Sequence, residues 1–540
     1  MPYLDPFSGE FSSKEANQLL KRVSFGVTET MVAEAVSLGL QATINKLFEE
    51  KKLPEPPLKD LPDGNDSGQI IDPDVKYGET WVTAPIYPDL PTSQERNRVF
   101  RYRNRSLYAW SFLQMQNSGI SILEKLTLFW HNHFVSENTN PHREYFYMNT
   151  LRKNALGNFK ELTKQITINQ NMLLYLSGHE NSDKAPNENY SRELLELFTI
   201  GKGAAVGNGD YTFYTEEDVV QIAKVLTGWR ARWIRHEDSL NAYFTNNRHT
   251  KGDKQLSHRF NNAIIKENGA EEYKDVIDVI FKQEECSKFI IRQLYRWFLN
   301  SEISEEIETH IIVPLAEMLR SNNYEVAPVL KALLTSEHFF ENTFCMIKSP
   351  LDLMLSATKG LKASAPNINI TEEYNFAYVM YLACTDLGQS LYHHPDVAGW
   401  KAYYQEPLFY KTWVNNYFLP KRLEYCKVLV LGGKLNINNR KYTVPPIIPV
   451  LDIAASIPNA LDANILIVEL ASRLFNYDIT QEQINSLKAV LIDGLPDFEW
   501  TVEYDQYLQE PNNSALAISV DKKLRNLVAV MVQMSEFQIM

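Results

Sequence analysis

The feature that most constrains this chain is a recurrence of capped, amphipathic helical stretches with no alternating strand series between them. In 215–228 (TEEDVVQIAKVLTG), Thr215 and Asp218 have the spacing of a capping box, with Asp in place of the usual Glu. Val219, Ile222, Ala223 and Leu226 fall on one face, and Gly228 ends the segment. In 189–201 (NYSRELLELFTIG), Asn189 or Ser191 opens a helix, Gly201 closes it, and Leu194, Leu197 and Phe198 form its core stripe. The same reading gives helices over 15–26, 29–50, 286–299, 309–321, 325–335, 348–364, 462–476, 481–493 and 520–536, with helical period returning from about 92. Residues 53–69 carry four prolines and read as a loop. Residues 434–449, polar and then Pro-rich, read as a linker. The predicted fold is mainly α, a large multi-helix module with long irregular loops and little or no sheet. Residues 1–433 form its main helical region and 434–540 a C-terminal helical subdomain.

Composition narrows the function. Hydrophobic residues make up 44% and charged residues 22% of the 540, ordinary for a globular chain. The net charge of −13 argues against a general nucleic-acid binder, which needs a basic face to displace counterions. No apolar run approaches the ~20 residues of a membrane-spanning helix. The N-terminus, MPYLDPFSGEFSSKEA, has no basic stretch followed by an apolar one, so the expected location is the cytoplasm. Cys286, Cys345, Cys384 and Cys426 form no CxxC pair; they read as free thiols, buried or half-buried, which suits a reducing compartment.

Four segments can carry chemistry, and each has a plainer reading beside it. In EKLTLFWHNHF (124–134), helical phase puts Glu124, Leu128 and His131 on one side and His133 about 200° away. A regular helix therefore cannot turn both histidines to one metal. One can be a metal ligand or acid/base group with the other supporting it, or both can be polar residues at a helix end beside Phe129, Trp130 and Phe134. In PNENYSRELLELFTIG (186–201), Glu193 and Glu196 share a face, Arg192 and Glu196 can pair, and Asn187, Glu188 and Asn189 crowd the entrance. That pattern suits cation binding or acid/base work, and equally helix capping with surface ion pairs. RHTKGDKQLSHRF (248–260) places His249, Gly252, Lys254 and His258 in a basic loop that can hold an anion or simply be solvated. LTGWRARW (226–233) and HHPDVAGW (393–400) set Trp229, Trp233 and Trp400 near glycine turns, as a stacking platform or as pins for loops. His393 and His394 are adjacent and point different ways. No GxSxG, HExxH or GxGxxG-plus-acid signature is present, so histidines and carboxylates are the available chemistry.

Taken in order, LLKRVSFG (19–26), LTLFWHNHF (126–134), LRKNALGNFKEL (151–162), PNENYSRELLELFTIG (186–201), YTEEDVVQIAKVLTGW (214–229), HTKGDK (249–254), IKSPLDLML (347–355), DVAGW (396–400) and SEFQ (535–538) closely resemble the bacterial domain-of-unknown-function 1800 family. The resemblance runs from about residue 15 to the C-terminus, with 15–433 carrying most motifs. It implies one large helical module, so the linkers become subdomain joints. Family members are often encoded beside an uncharacterised family similar to the sulfatase and alkaline-phosphatase superfamily, which implies a companion protein and makes export in a complex conceivable. The chain departs from the family pattern at Thr250, where Asp usually follows the His, and at KAYYQEP (401–407), where a Pro-Gly-Gly run is usual.

Three functions are expected from these readings. The first is an enzyme, a metal-assisted or acid/base hydrolase or transferase acting on an anionic or sugar-like substrate. His131, His133, Glu193 and His249 would be catalytic. Asn187, Arg192, Lys254, Trp229 and Trp400 would bind substrate, and His131, Glu188 and Glu193 would hold a divalent metal. The second is a non-catalytic partner or scaffold for the sulfatase/phosphatase-like companion, with no nucleic acid and no membrane span. The third is a carbohydrate or peptide binder that stacks its ligand on Trp229, Trp233 and Trp400.

Overall fold

The computed structural model describes residues 3–64, 72–231, 240–341, 346–363 and 369–540. Cys345 and Trp233 lie outside them. Helices dominate, joined by long irregular segments, and among the described residues the strands form four short two-stranded antiparallel pairs. A contiguous set of buried apolar side chains runs from Ala16 to Phe537.

Local chemistry accounts for most boundaries. The Thr215–Asp218 box forms as read: the Thr215 hydroxyl accepts the Asp218 N–H and the Asp218 carboxylate accepts the Thr215 N–H. Three differences from the reading have physical causes. The stretch 29–50 is two helices, Glu29–Leu38 and Leu40–Leu47, broken at Gly39, whose φ of 74° no continuing helix adopts. The stretch 189–201 starts as an α-helix, Asn189–Glu193, and continues as a π-helical turn over Leu194–Thr199. The supposed linker at 434–449 contains a hairpin, Gly433–Ile437 paired with Arg440–Val444, closed by Asn438 and Asn439 in the left-handed region.

The Leu123–His133 helix positions the rest. Every residue from Glu124 to His133 is buried, so it is a core helix with no solvent face. It accommodates charge by pairing. Glu124 accepts both Nε and Nη2 of Arg152 at 2.7 and 3.0 Å, and Lys125 pairs with Asp352. No helix among the described residues is long and apolar enough to cross a membrane.

Candidate functional site

The helix ends at His133, so the two histidines keep their separation around the axis and serve different neighbours. His131 Nε2 accepts the Tyr392 N–H at 3.2 Å, which puts its proton on Nδ1, and Nδ1 meets no partner among the described residues. Its ring lies edge-on to His394 with centroids 4.5 Å apart, and His394 in turn lies 4.2 Å from Trp400. Both His394 ring nitrogens and Trp400 Nε1 are likewise buried and unpartnered among the described residues. Burial pushes His131 down to about 3 and His394 well below the ordinary imidazole range, reinforced by the other histidines of the cluster. Asn132, between the two, accepts the Trp400 N–H on Oδ1 at 2.9 Å. Gly399 makes this possible: at φ 88° it lets the loop lie so close that a β-carbon would come within 2.7 Å of the Asn132 carbonyl oxygen.

His133 turns the other way. Its Nε2 is 3.0 Å from the Phe198 carbonyl, an obligate acceptor, so Nε2 carries the proton and Nδ1 keeps a free lone pair. Burial pushes it down to about 4, partly offset by that hydrogen bond, and the ring is neutral near pH 7. The Phe198 carbonyl belongs to the π-helical turn, so the 124–134 and 186–201 segments meet here. The 393–404 loop completes the junction and encloses a cavity of about 130 Å³. His133, Asn132 and Glu196 supply its polar lining, with Gln293 and the Tyr404 side chain. Phe129, Phe289, Trp297 and Tyr403 supply its aromatic walls, Trp297 and Tyr403 with centroids 4.1 Å apart.

The π-helical turn decides which carboxylate reaches this cavity. Glu196 lines it, held by the Tyr214 hydroxyl, Lys202 at 3.3 Å and Arg192 at 3.6 Å. Glu193 does not line it; burial and the neighbouring Glu196 raise its carboxyl above the usual range. Arg192 is engaged by carboxylates, with Glu216 bidentate at 2.9 and 2.7 Å and Glu188 at 3.4 Å. Asn187 ties the loop: its N–H donates to Asn181 Oδ1 at 2.9 Å, and its own Oδ1 accepts the Asn189 N–H.

The 249–254 loop builds a separate, fully buried network. His249 Nε2 donates to Glu272 Oε1 at 2.8 Å, and its Nδ1 lies 2.9 Å from the Thr227 carbonyl and 3.2 Å from the Thr227 hydroxyl; Lys254 Nζ lies 2.6 Å from Glu272 Oε2. Thr250 stands beside it, its N–H on the Thr227 hydroxyl at 2.8 Å. Trp229 packs edge-on against Phe244 and Tyr273. Trp229 and Trp400 are both buried and offer no open face for stacking.

The residues named for a divalent metal do not converge. His131 is turned to Tyr392, while Glu188 is exposed beside Arg192. Among the described residues no three His, Cys, Asp or Glu side chains are grouped to hold an ion. Sequence reasoning did not anticipate Glu272 or Glu144. Glu144 is fully buried in the first turn of the Pro141–Asn154 helix, its carboxyl raised well above the usual range by burial. An acid there reads in sequence as a partner for the helix dipole.

The fold defines a helical protein with a cavity in which a buried imidazole and a half-buried carboxylate meet aromatic walls. The chain belongs to the family described as Protein of unknown function (DUF1800), whose profile matches residues 18–539. No curated protein and no solved structure matches it.

Proposed function

We propose that the cavity at His133 is the active site of an enzyme that hydrolyses or transfers a group on a small, uncharged, hydroxyl-rich molecule of the sugar class. One observation carries the reading: an imidazole with a free lone pair and a carboxylate line the same aromatic-walled cavity. His133 is held neutral and accepts a proton at Nδ1 from the attacking hydroxyl or water. Glu196 is the second proton-handling group, oriented by Tyr214. The aromatic walls supply apolar surface to the C–H groups of a sugar ring, and Asn132 and Gln293 offer hydrogen bonds to its hydroxyls. Arg192 and Lys254, the cations an anionic substrate would use, are already engaged by carboxylates, which favours the uncharged class.

The test is a screen of chromogenic glycosides, followed by His133→Gln and Glu196→Gln on any substrate turned over. Both variants are expected to keep the fold and lose turnover by about 10²-fold or more. Unchanged turnover in both would overturn the assignment.

A second reading, the non-catalytic partner of a sulfatase/phosphatase-like companion, draws on Phe498 and Val502. They lie one turn apart on the Phe498–Gln509 helix and are 60% and 50% exposed. Co-expression with the companion tests it: a complex lost on Phe498→Asp supports it, and no complex with the wild type refutes it. On that reading the location follows the companion, export included; on the first it is the cytoplasm.

A further inference from the structure

Three of the segments singled out in sequence, 19–26, 347–355 and 535–538, take no part in the His133 cavity. They meet elsewhere. Lys21 and Ser24 from the first, Lys348 and Asp352 from the second and Phe537 from the third line a small chamber of about 20 Å³. Lys348 is 2% exposed, and its ammonium lies 4.2 Å over the Phe537 ring. Among the described residues that ammonium has no carboxylate, carbonyl or hydroxyl within hydrogen-bond distance. Lys21 Nζ has only a neutral acceptor, the Phe475 carbonyl at 2.8 Å. The carboxylate in the wall, Asp352, is already paired with Lys125 and accepts the Ser349 hydroxyl at 2.8 Å. Behind Lys348, the buried Arg422 donates to the Lys348 carbonyl at 3.0 Å and to Gln538 Oε1 at 3.1 Å, and its Nη1 is unpartnered among the described residues.

Lys125, Lys348 and Arg422 thus share one carboxylate, Asp352, and Lys21 stands beside Lys348. Buried cations without counter-charge are costly, and either a proton leaves or an anion enters. Burial and the neighbouring Lys348 push the Lys21 ammonium well below its ordinary range, whereas burial lowers Lys348 only to about 8; Lys348 therefore keeps the charge at pH 7, and an entering anion would return a proton to Lys21.

Size narrows the anion. The chamber has room for about one or two water-sized groups, enough for a flat two-oxygen head and too little for a tetrahedral phosphate. It adjoins a larger chamber of about 210 Å³, the two sharing Val27, Gly360, Arg473 and Leu474 as walls. The larger chamber has a mixed lining: Val32, Leu361 and Leu470 are apolar, Glu29 is paired with Lys362 and Arg473, and Glu469 stands at the wall. We propose that this pair of chambers is a binding site for a small organic acid, its carboxylate held between Lys21 and Lys348 and its short apolar body in the outer chamber. The proposal does not rest on the reading of the His133 cavity.

Hexanoate is a suitable probe. Thermal melts and titration calorimetry on the full chain at pH 7 would compare sodium hexanoate with chloride and inorganic phosphate at matched ionic strength. Hexanoate is expected to raise the melting temperature in a concentration-dependent way where the other two do not. Lys348→Met is expected to weaken hexanoate binding at least about tenfold. Should Lys348→Met not fold, Lys21→Gln, which gives up one bond to a neutral carbonyl, carries the same test. No hexanoate binding to the wild type overturns the proposal. So does a folded variant of either lysine with wild-type affinity, and so does an equal response to chloride or phosphate.

Discussion

Replacing Glu272 by Gln removes one charge from the buried His249–Lys254–Glu272 network and changes almost nothing in shape. The magnitude follows from the geometry. Oε1 accepts His249 Nε2 at 2.8 Å and the N–H groups of Asn268 and Gly269 at 3.0 and 3.1 Å. The glutamine carbonyl can keep all three. Oε2 faces the Lys254 ammonium at 2.6 Å, and there the glutamine presents an NH₂ to a donor. Both side chains are essentially inaccessible, at 2% for Lys254 and 0% for Glu272. The variant therefore leaves an ammonium buried without a counter-charge, which costs about 3–5 kcal/mol. Glu272→Gln combined with Lys254→Met removes the stranded charge as well and is expected to recover most of that loss. Urea titrations followed by tryptophan fluorescence suit the measurement, because Trp229 packs against Tyr273, the next residue along. Asp253→Asn, which breaks the exposed pair with Lys266, is the control and is expected to leave the midpoint unchanged. If Glu272→Gln behaves like that control, or if the double variant is no better than the single one, the network is not the buried charge pair argued here.

Acid should destabilise the protein through its buried imidazoles. His131 is pushed to about 3 and His133 and His142 to about 4, chiefly by burial, against about 6.5 in an unfolded chain. The unfolded state then binds more protons, so stability is level above about pH 6.5 and falls as the pH drops toward 4, by about 1.4 kcal/mol per unit for each such imidazole. Urea midpoints from pH 7.5 to 4.5 read this directly, and a flat profile would contradict it. Gly399→Ala should destabilise by more than about 1 kcal/mol, because the position is left-handed and the methyl meets Asn132. A melting temperature equal to wild type would show that the 393–404 loop does not depend on that approach.

Most helices were legible because their signals are local. The Thr215–Asp218 box and the Leu194, Leu197 and Phe198 stripe need only neighbours in sequence, and Leu194 and Phe198 are indeed buried. The hairpin was hidden by polar outer faces, although Leu435, Ile437 and Val444 carry the inward alternation. The π-helical turn was not legible, because a shift in hydrogen-bond register is set by what packs around it. That turn is why helical spacing could not choose between Glu193 and Glu196. The opposed directions of His131 and His133 were readable from helical phase. Their partners, Tyr392 and the Phe198 carbonyl, come from segments far along the chain and were not. Glu272 was missed for the same reason: it joins His249 and Lys254 from the first turn of another helix.

Residues 538–540 pair with residues 346–348. Met540 and Met346 exchange N–H···O bonds at 2.8 and 3.0 Å, and the Lys348 N–H donates to the Gln538 carbonyl at 2.9 Å. On the ribosome, the segment around 346–348 emerges well before its partner is made. At about 5–20 residues per second, the roughly 190 intervening residues take about 10–40 s to synthesise. Through that interval the nascent chain carries an incomplete core with Lys348 and Arg422 waiting for their cover. Folding of this core is thus tied to the emergence of residues 538–540, and ribosomes stalled before that segment should hold a protease-sensitive chain that becomes resistant once the segment has emerged.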